Sequence, residues 1–108
     1  GDCLLGAAGG HSAEIPWSRA AGLDPDRLLL VPCGYDLAHA RADADRAEAR
    51  LRELAPRAVA GGHAAVGHSA CFSRSGPRVV DGIEALAAWL HPEAGFAAPG
   101  PGALEPWP

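Results

Sequence analysis

Residues 71–92 read C-F-S-R-S-G-P-R-V-V-D-G-I-E-A-L-A-A-W-L-H-P, a loop that turns into a helix at Pro77. Proline suits a first helical position because its missing N–H has no partner inside the helix there. Apolar side chains then recur at helical spacing and predict one buried helix face: Val79, Ile83, Leu86 and Leu90. Ahead of this helix, Arg74 precedes an N-terminus whose unpaired N–H groups can hold an anion or carbonyl oxygens. An ordinary capped helix that packs on a sheet is the competing interpretation.

The length of 108 residues is enough for one small domain or for one lobe of a larger protein. The net charge is −4, which argues against the basic surface of a nucleic-acid-binding protein. The sequence shows no apolar run of membrane-spanning length and no visible signal peptide. Because the chain starts with Gly1 rather than Met, we interpret it as a piece of a longer protein, so the missing signal says nothing about location.

Two short apolar runs separated by a long helical pattern indicate the fold class. Residues 28–31 read L-L-L-V between turn signals, which is typical of a strand buried on both faces of a parallel sheet. Asp36 can cap the helix that follows, which runs to Leu54 with one apolar and one charged face. Residues 63–66 read H-A-A-V after two glycines, and we predict a second strand there. The sequence therefore predicts a right-handed βαβ unit in an α/β fold with a mainly parallel sheet flanked by helices.

The βαβ unit also predicts where a ligand binds. Both strands end at the same edge of the sheet, where residues 33–36 and 68–74 follow them. Ligands of open α/β sheets bind at this carboxyl edge. We therefore expect the site there.

The cysteines and one histidine provide a different hypothesis. Cys3, Cys33 and Cys71 are an odd number without C-x-x-C spacing, so they predict neither a disulfide framework nor a zinc knuckle. Cys33, His68 and Cys71 could gather at the strand ends, and such soft ligands suit zinc. A small metal-binding protein or metal-dependent enzyme is therefore an alternative, although the His68-x-x-Cys71 spacing alone is weak. Our first expectation is a protein that is not an enzyme, with no catalytic residue and no metal ligand.

The end of the chain has the composition of a tail. Residues 97–108 read A-A-P-G-P-G-A-L-E-P-W-P, and so many prolines and glycines do not favour a packed core. We therefore predict a folded lobe over residues 1–96 and a disordered tail over residues 97–108.

Two segments carry a family resemblance. D-P-D-R-L-L-L-V-P-C-G-Y-D at residues 24–36, with F-S-R-S-G-P-R-V-V-D-G-I-E-A-L-A-A-W-L-H-P-E at residues 72–93, resembles the cobalamin-type periplasmic-binding family. These are the substrate-binding proteins of ABC importers for corrinoids and iron–siderophore complexes. The resemblance covers residues 1 to about 96, and its specific part is S-R-S-G-P-R-x-V-D-G-x-E followed by L-H-P-E.

The resemblance implies a two-lobed protein that holds its ligand in the cleft between the lobes and does no chemistry on it. This chain would be the C-terminal lobe, a small three-layer unit, without the N-terminal lobe. Its partners would be a corrinoid or siderophore ligand and an ABC permease, and no cofactor is implied because cobalamin is the transported ligand. The location would be periplasmic or extracytoplasmic, with a lipid anchor as one option.

The resemblance also assigns ligand-binding residues. The family's loop ahead of the last helix faces the cleft, which points to Phe72 and Arg74, and an aromatic residue near the first short helix points to Trp17. Tyr35 adds a second aromatic side chain at the strand ends. A corrinoid needs apolar and aromatic walls with a few polar groups, which these four residues supply. An anionic ferric siderophore would favour several basic residues, so it is the alternative ligand, because Arg74 is the one clear basic residue there.

Overall fold

The computed structural model describes residues 5–97 and 102–108. These residues form a small compact α/β structure with six α-helices and a three-stranded mixed sheet. The elements in chain order are α1 (Trp17–Ala20), β1 (Leu28–Leu30), α2 (Leu37–Arg46), α3 (Glu48–Leu54), α4 (Pro56–Ala60), β2 (Ala64–Gly67), α5 (Ser69–Phe72), α6 (Val79–Leu90), a 3₁₀ turn (Pro92–Ala94) and β3 (Leu104–Pro106).

The sheet has the order β1-β2-β3. Strands β1 and β2 are parallel, with Leu28 opposite Ala64, so the predicted strand–helix–strand unit is confirmed. On the other side of β2, β3 runs antiparallel, with Leu104 opposite Gly67. The sheet is therefore mixed, whereas the sequence predicted a mainly parallel one.

The connection between the two parallel strands is three helices rather than the single predicted one. Asp36 caps α2 as predicted, because its carboxylate accepts a hydrogen bond from the His39 N–H at 2.8 Å. The helical path is interrupted at Ala47, and Pro56 occupies the start of α4. Proline lacks the N–H that would continue the preceding helix, so a new helix begins there.

The main core is built from small side chains around one large one. Alanines 40, 44 and 64 are buried in it together with Leu51, Val59 and Val66, and Leu28 and Leu30 pack against the cluster. Alanine brings helix and sheet backbones close together but buries little apolar area of its own. Trp107 lies in the same cluster with 1% of its surface exposed and supplies much of the missing bulk.

The prediction of a disordered tail is wrong for residues 102–108. The N–H of Trp107 donates to the Ala64 carbonyl at 2.9 Å, and its Nε1–H donates to Asp45 at 2.8 Å. His68 donates to the Ala103 carbonyl, also at 2.9 Å, so β3 is held at both ends. A low-hydrophobicity segment can still order when one aromatic side chain fills a site in the core. Residues 98–101 of the predicted tail lie outside the described residues.

Helix α6 buries a different face from the predicted one. Gly82 and Ala85 are its buried residues, whereas Ile83 is 61% exposed. A Cβ added to Gly82 would overlap the carbonyl oxygen of Cys71 in α5, so the two helices approach as closely as glycine allows. The helix begins at Val79 rather than Pro77, which belongs to the turn before it. Because the backbones of α5 and α6 lie so close together, only small residues fit on the buried face of α6. The larger apolar residues of the helix lie outside that face.

Candidate functional site

The segments that follow β1 and β2 lie together at the carboxyl edge of the parallel pair. The N–H of Ser69, at the start of α5, donates to the Tyr35 carbonyl at 3.0 Å. This bond joins the loop after β1 to the helix after β2. The geometry that the sequence predicted for a site is therefore present at this edge.

Tyr35 stands at the end of a tight turn. Its N–H donates to the Pro32 carbonyl at 3.2 Å, and Gly34 has a φ of 82°, a left-handed conformation that glycine adopts without a steric penalty. The Tyr35 side chain is exposed, and its ring centroid lies 6.0 Å from that of His39. The turn thus presents one aromatic ring to solvent beside a histidine.

The polar groups at this edge mainly organise the backbone. His39 donates to the Asp36 carboxylate through its N–H, and its Nδ1 lies 2.7 Å from the same oxygen. Both hydrogen bonds lower the pKa of Asp36 below its ordinary value, and the bond from the His39 backbone N–H has the larger effect. His68 accepts a hydrogen bond from the Ala70 N–H at Nδ1 and so caps α5. Asp36 and His68 therefore each cap the N-terminus of the helix that follows a strand, α2 after β1 and α5 after β2.

Phe72 is half-buried and lies against the end of β2. A Cβ added to Gly67 would come within 2.9 Å of the Phe72 ring and 3.0 Å of a Val31 methyl group. Only glycine leaves room for the ring at this point. Phe72 also packs against the second apolar cluster of Cys71, Ala85 and Ala103, so part of the ring is structural and part faces solvent.

Arg74 lies exposed in the loop between α5 and α6. In the described part of the chain, its guanidinium makes no hydrogen bond or salt bridge. Arg78, four residues later, instead donates to the Gly102 carbonyl at 3.4 Å and lies 3.9 Å from Asp81. The N–H groups of Val79 and Val80 are bonded to the preceding turn, so the start of α6 offers fewer free donors than the sequence suggested.

Trp17 is not at this edge. It starts α1, and the guanidinium of Arg50 in α3 lies 5.7 Å from its ring centroid. The carbonyl of Leu54, at the end of α3, accepts from the N–H of Asp24 just before β1. Trp17 therefore lies toward the amino-terminal ends of the parallel strands, where it lines a shallow depression of about 320 Å³. The structure brings Tyr35, Phe72 and Arg74 to one edge and leaves Trp17 at the other.

The proposed metal ligands do not form a set. Cys33 is exposed and Cys71 is buried against α6, while Cys3 lies outside the described residues. Across residues 5–97 and 102–108, no group of three or more His, Cys, Asp or Glu side chains is placed to hold a metal ion. The geometry gives the metal alternative no support.

Sequence reasoning missed an ion-pair cluster at the amino-terminal edge. The Arg57 side chain contacts Asp24 at 2.5 Å and Asp26 at 3.1 Å. Its hydrogen bonds to Asp24 lower the pKa of that carboxyl. Arg27, next along the chain, lies 5.1 Å from the Trp89 ring centroid. The partners of Asp24, Asp26 and Arg27 come from distant segments of the chain, so no local pattern in the sequence indicates these contacts.

Comparison with known proteins adds no identification: no family model, curated protein or solved structure matches the chain. The helices that the structure describes include none long and apolar enough to cross a membrane.

Proposed function

We propose that residues 1–96, together with β3, form the C-terminal lobe of a cobalamin-type periplasmic-binding protein. In this proposal the lobe binds one side of a corrinoid, a second lobe closes over the other side, and an ABC permease receives the ligand. The observation that carries the proposal is the Ser69–Tyr35 hydrogen bond, which joins the two strand-end loops. That bond supports a shared ligand surface at the edge where open α/β sheets bind ligands.

The side chains at this edge suit a large amide-bearing ring. Tyr35 and the exposed part of Phe72 offer aromatic surface, and Arg74 offers a guanidinium without an internal partner among the described residues. A planar guanidinium with five donors matches amide carbonyls or a phosphodiester. Trp17 drops out of the proposed ligand set because it lies at the opposite edge. A ferric siderophore gains no specific support, because Arg74 is the one arginine among the described residues that we assign to this surface.

In this proposal the lobe supplies one wall of a cleft. Small-molecule sites bury most of the ligand, and one wall alone cannot do that. Two shallow depressions among the described residues, one lined by Trp17 and Arg50 and one by Arg27 and His63, lie at the other edge. The proposal therefore includes the finer architecture: a three-layer lobe, half of a two-lobed protein, in an extracytoplasmic location.

The first test is titration of the chain with cobalamin in a calorimeter. We expect a dissociation constant no tighter than about 10 μM, because one wall of the cleft is absent. Nanomolar binding by this chain alone would contradict the two-lobe proposal. Tighter binding of a ferric siderophore than of cobalamin would assign the lobe to the siderophore branch instead.

The second test uses a two-lobed protein that carries this lobe. Arg74→Ala should weaken cobalamin binding by about 1.5–3 kcal/mol, the scale of a hydrogen bond to a charged group, and leave the melting temperature without ligand unchanged. Arg78→Ala is the matched control, because Arg78 contacts Gly102 and should affect stability rather than affinity. Unchanged affinity for Arg74→Ala would remove Arg74 from the site.

A further inference from the structure

A carboxylate holds the ring of His39 in the first turn of α2. The Nδ1 of His39 lies 2.7 Å from the Asp36 carboxylate, and its backbone N–H donates to the same oxygen. An ionised carboxylate can only accept hydrogen bonds, so the ring proton is on Nδ1 and Nε2 carries a lone pair. The lowered pKa of Asp36 keeps that carboxylate ionised at neutral pH. Histidines that bind metal ions commonly have such a carboxylate on the other ring nitrogen.

The Nε2 atom of His39 is free and accessible. The side chain is 74% exposed, and no group within residues 5–97 or 102–108 bonds to Nε2. The residue belongs to α2, which follows the loop after β1 at the carboxyl edge of the sheet. Its ring centroid lies 6.0 Å from that of Tyr35, and the two rings are tilted by 54°. A free imidazole nitrogen and an exposed aromatic ring therefore share one open surface.

His68, which follows β2 at the same edge, has its ring proton on the other nitrogen. Its Nδ1 accepts a hydrogen bond from the Ala70 N–H at 3.1 Å, so the proton is on Nε2 and that atom has no lone pair to offer. To bind a metal ion, His68 would have to give up the cap of α5. His39 gives up nothing, because its contacts with Asp36 use the ring atom opposite Nε2.

We propose that His39 coordinates the cobalt ion of a corrinoid through Nε2, as one of its axial ligands. This inference rests on the proposed function, because the corrinoid brings the metal ion. The corrin nitrogens fill the equatorial positions of cobalt, so one protein side chain is enough to complete an axial position. In the step, the Nε2 lone pair forms a Co–N bond while a water molecule leaves the cobalt, and no electron is transferred. A set of several metal-binding side chains, which the described residues lack, is not needed.

Coordination distinguishes corrinoids by their axial positions. Cobinamide, which lacks the nucleotide base, has an axial position that water occupies and that imidazole can take. Dicyanocobinamide has the same ring and amide side chains, but cyanide fills both axial positions. The two molecules are therefore matched probes, because the aromatic surface and Arg74 meet the same groups in both, and His39 gains a bond with the first alone.

The test is electron paramagnetic resonance of cob(II)inamide mixed anaerobically with the 108-residue chain at millimolar concentration. We expect the cobalt lines to split into triplets from one coordinating nitrogen, and into doublets when the protein is labelled with ¹⁵N. His39→Ala should abolish the splitting. His91→Ala is the matched control and should keep it, because His91 also pairs with a carboxylate, that of Glu93, but lies beyond the end of α6. A parent chain without nitrogen splitting, or a His39→Ala variant that retains it, overturns the proposal.

Spectrophotometric titration then separates cobalt coordination from binding of the ring. His39→Ala should weaken cob(II)inamide binding at least about tenfold and leave dicyanocobinamide binding unchanged. Asp36→Asn keeps an N-cap for α2 but removes the carboxylate behind His39, and should weaken cob(II)inamide binding by about tenfold. Equal losses for both probes would mean that His39 acts through the fold or the surface, which overturns the assignment.

The two probes also separate this inference from the proposed function. Binding of dicyanocobinamide, without nitrogen splitting from cob(II)inamide, overturns the coordination by His39 and leaves the corrinoid-binding lobe standing. Failure of both corrinoids to bind at millimolar concentration overturns both.

Discussion

Replacing Trp107 with alanine should cost this small protein a large part of its stability. The side chain is 1% exposed and packs among Ala40, Ala44 and Ala64, which cannot move inward to fill the space it leaves. Truncating a buried aromatic residue to alanine costs about 3–5 kcal/mol. The lost hydrogen bond to Asp45 adds about 1 kcal/mol at most, since it lies near the surface. Against a typical total of about 5–15 kcal/mol, the variant should be marginal or unfolded at room temperature.

Urea unfolding followed by far-ultraviolet circular dichroism measures this change without relying on tryptophan emission. Trp17→Ala is the matched control, because the same substitution at a 45% exposed site removes little buried area. We expect Trp17→Ala to change the unfolding free energy by less than about 1 kcal/mol. If Trp107→Ala is as stable as Trp17→Ala, then residues 102–108 do not complete the core and the description of β3 fails.

Two further predictions concern packing and pH. Gly82→Ala should destabilise the fold by about 1–3 kcal/mol despite the better helix propensity of alanine, because the new methyl group meets the Cys71 carbonyl. Gly76→Ala, with open space around it, should be close to neutral in the same urea assay. Asp24→Asn should lower stability at pH 7 by removing the carboxylate that Arg57 binds, while asparagine keeps the left-handed backbone at φ 40°. The pKa of Asp24 is lowered in the folded state, so its contribution is full above the ordinary value of 3.8 and disappears as pH falls through the folded value. The difference between wild type and Asp24→Asn should therefore shrink in acid, and a difference that persists unchanged at low pH would show that the carboxylate charge is not its cause.

Local signals predicted the framework of the fold well. The apolar run at β1, the cap at Asp36 and the strand at β2 all depend on neighbours in sequence, and each is present. The interruption at Ala47 was not predictable, because nothing in an alternating apolar and charged pattern distinguishes a bent helix from a straight one.

The errors arose where packing between distant segments decides the outcome. The helical period of α6 favoured the larger residues as the buried face, but the close approach of α5 requires Gly82 and Ala85 there. Composition favoured a disordered tail, but a core of alanines left space for Trp107. The strand order predicted that residues 33–36 and 68–74, which include Tyr35 and Phe72, lie at one edge of the sheet. The position of Trp17 depends instead on how α1 packs against α3, and no local pattern encodes it.

The most direct test of the proposed ligand surface is an amide NMR titration of the chain with cobalamin at millimolar concentration, where weak binding is still visible. The account predicts that chemical-shift changes cluster at residues 33–36 and 72–75, around Tyr35, Phe72 and Arg74, and that the Trp17 region is unaffected. Changes confined to Trp17 and Arg50 would contradict the assignment of a ligand-binding lobe. The absence of any change at millimolar cobalamin would contradict it as well.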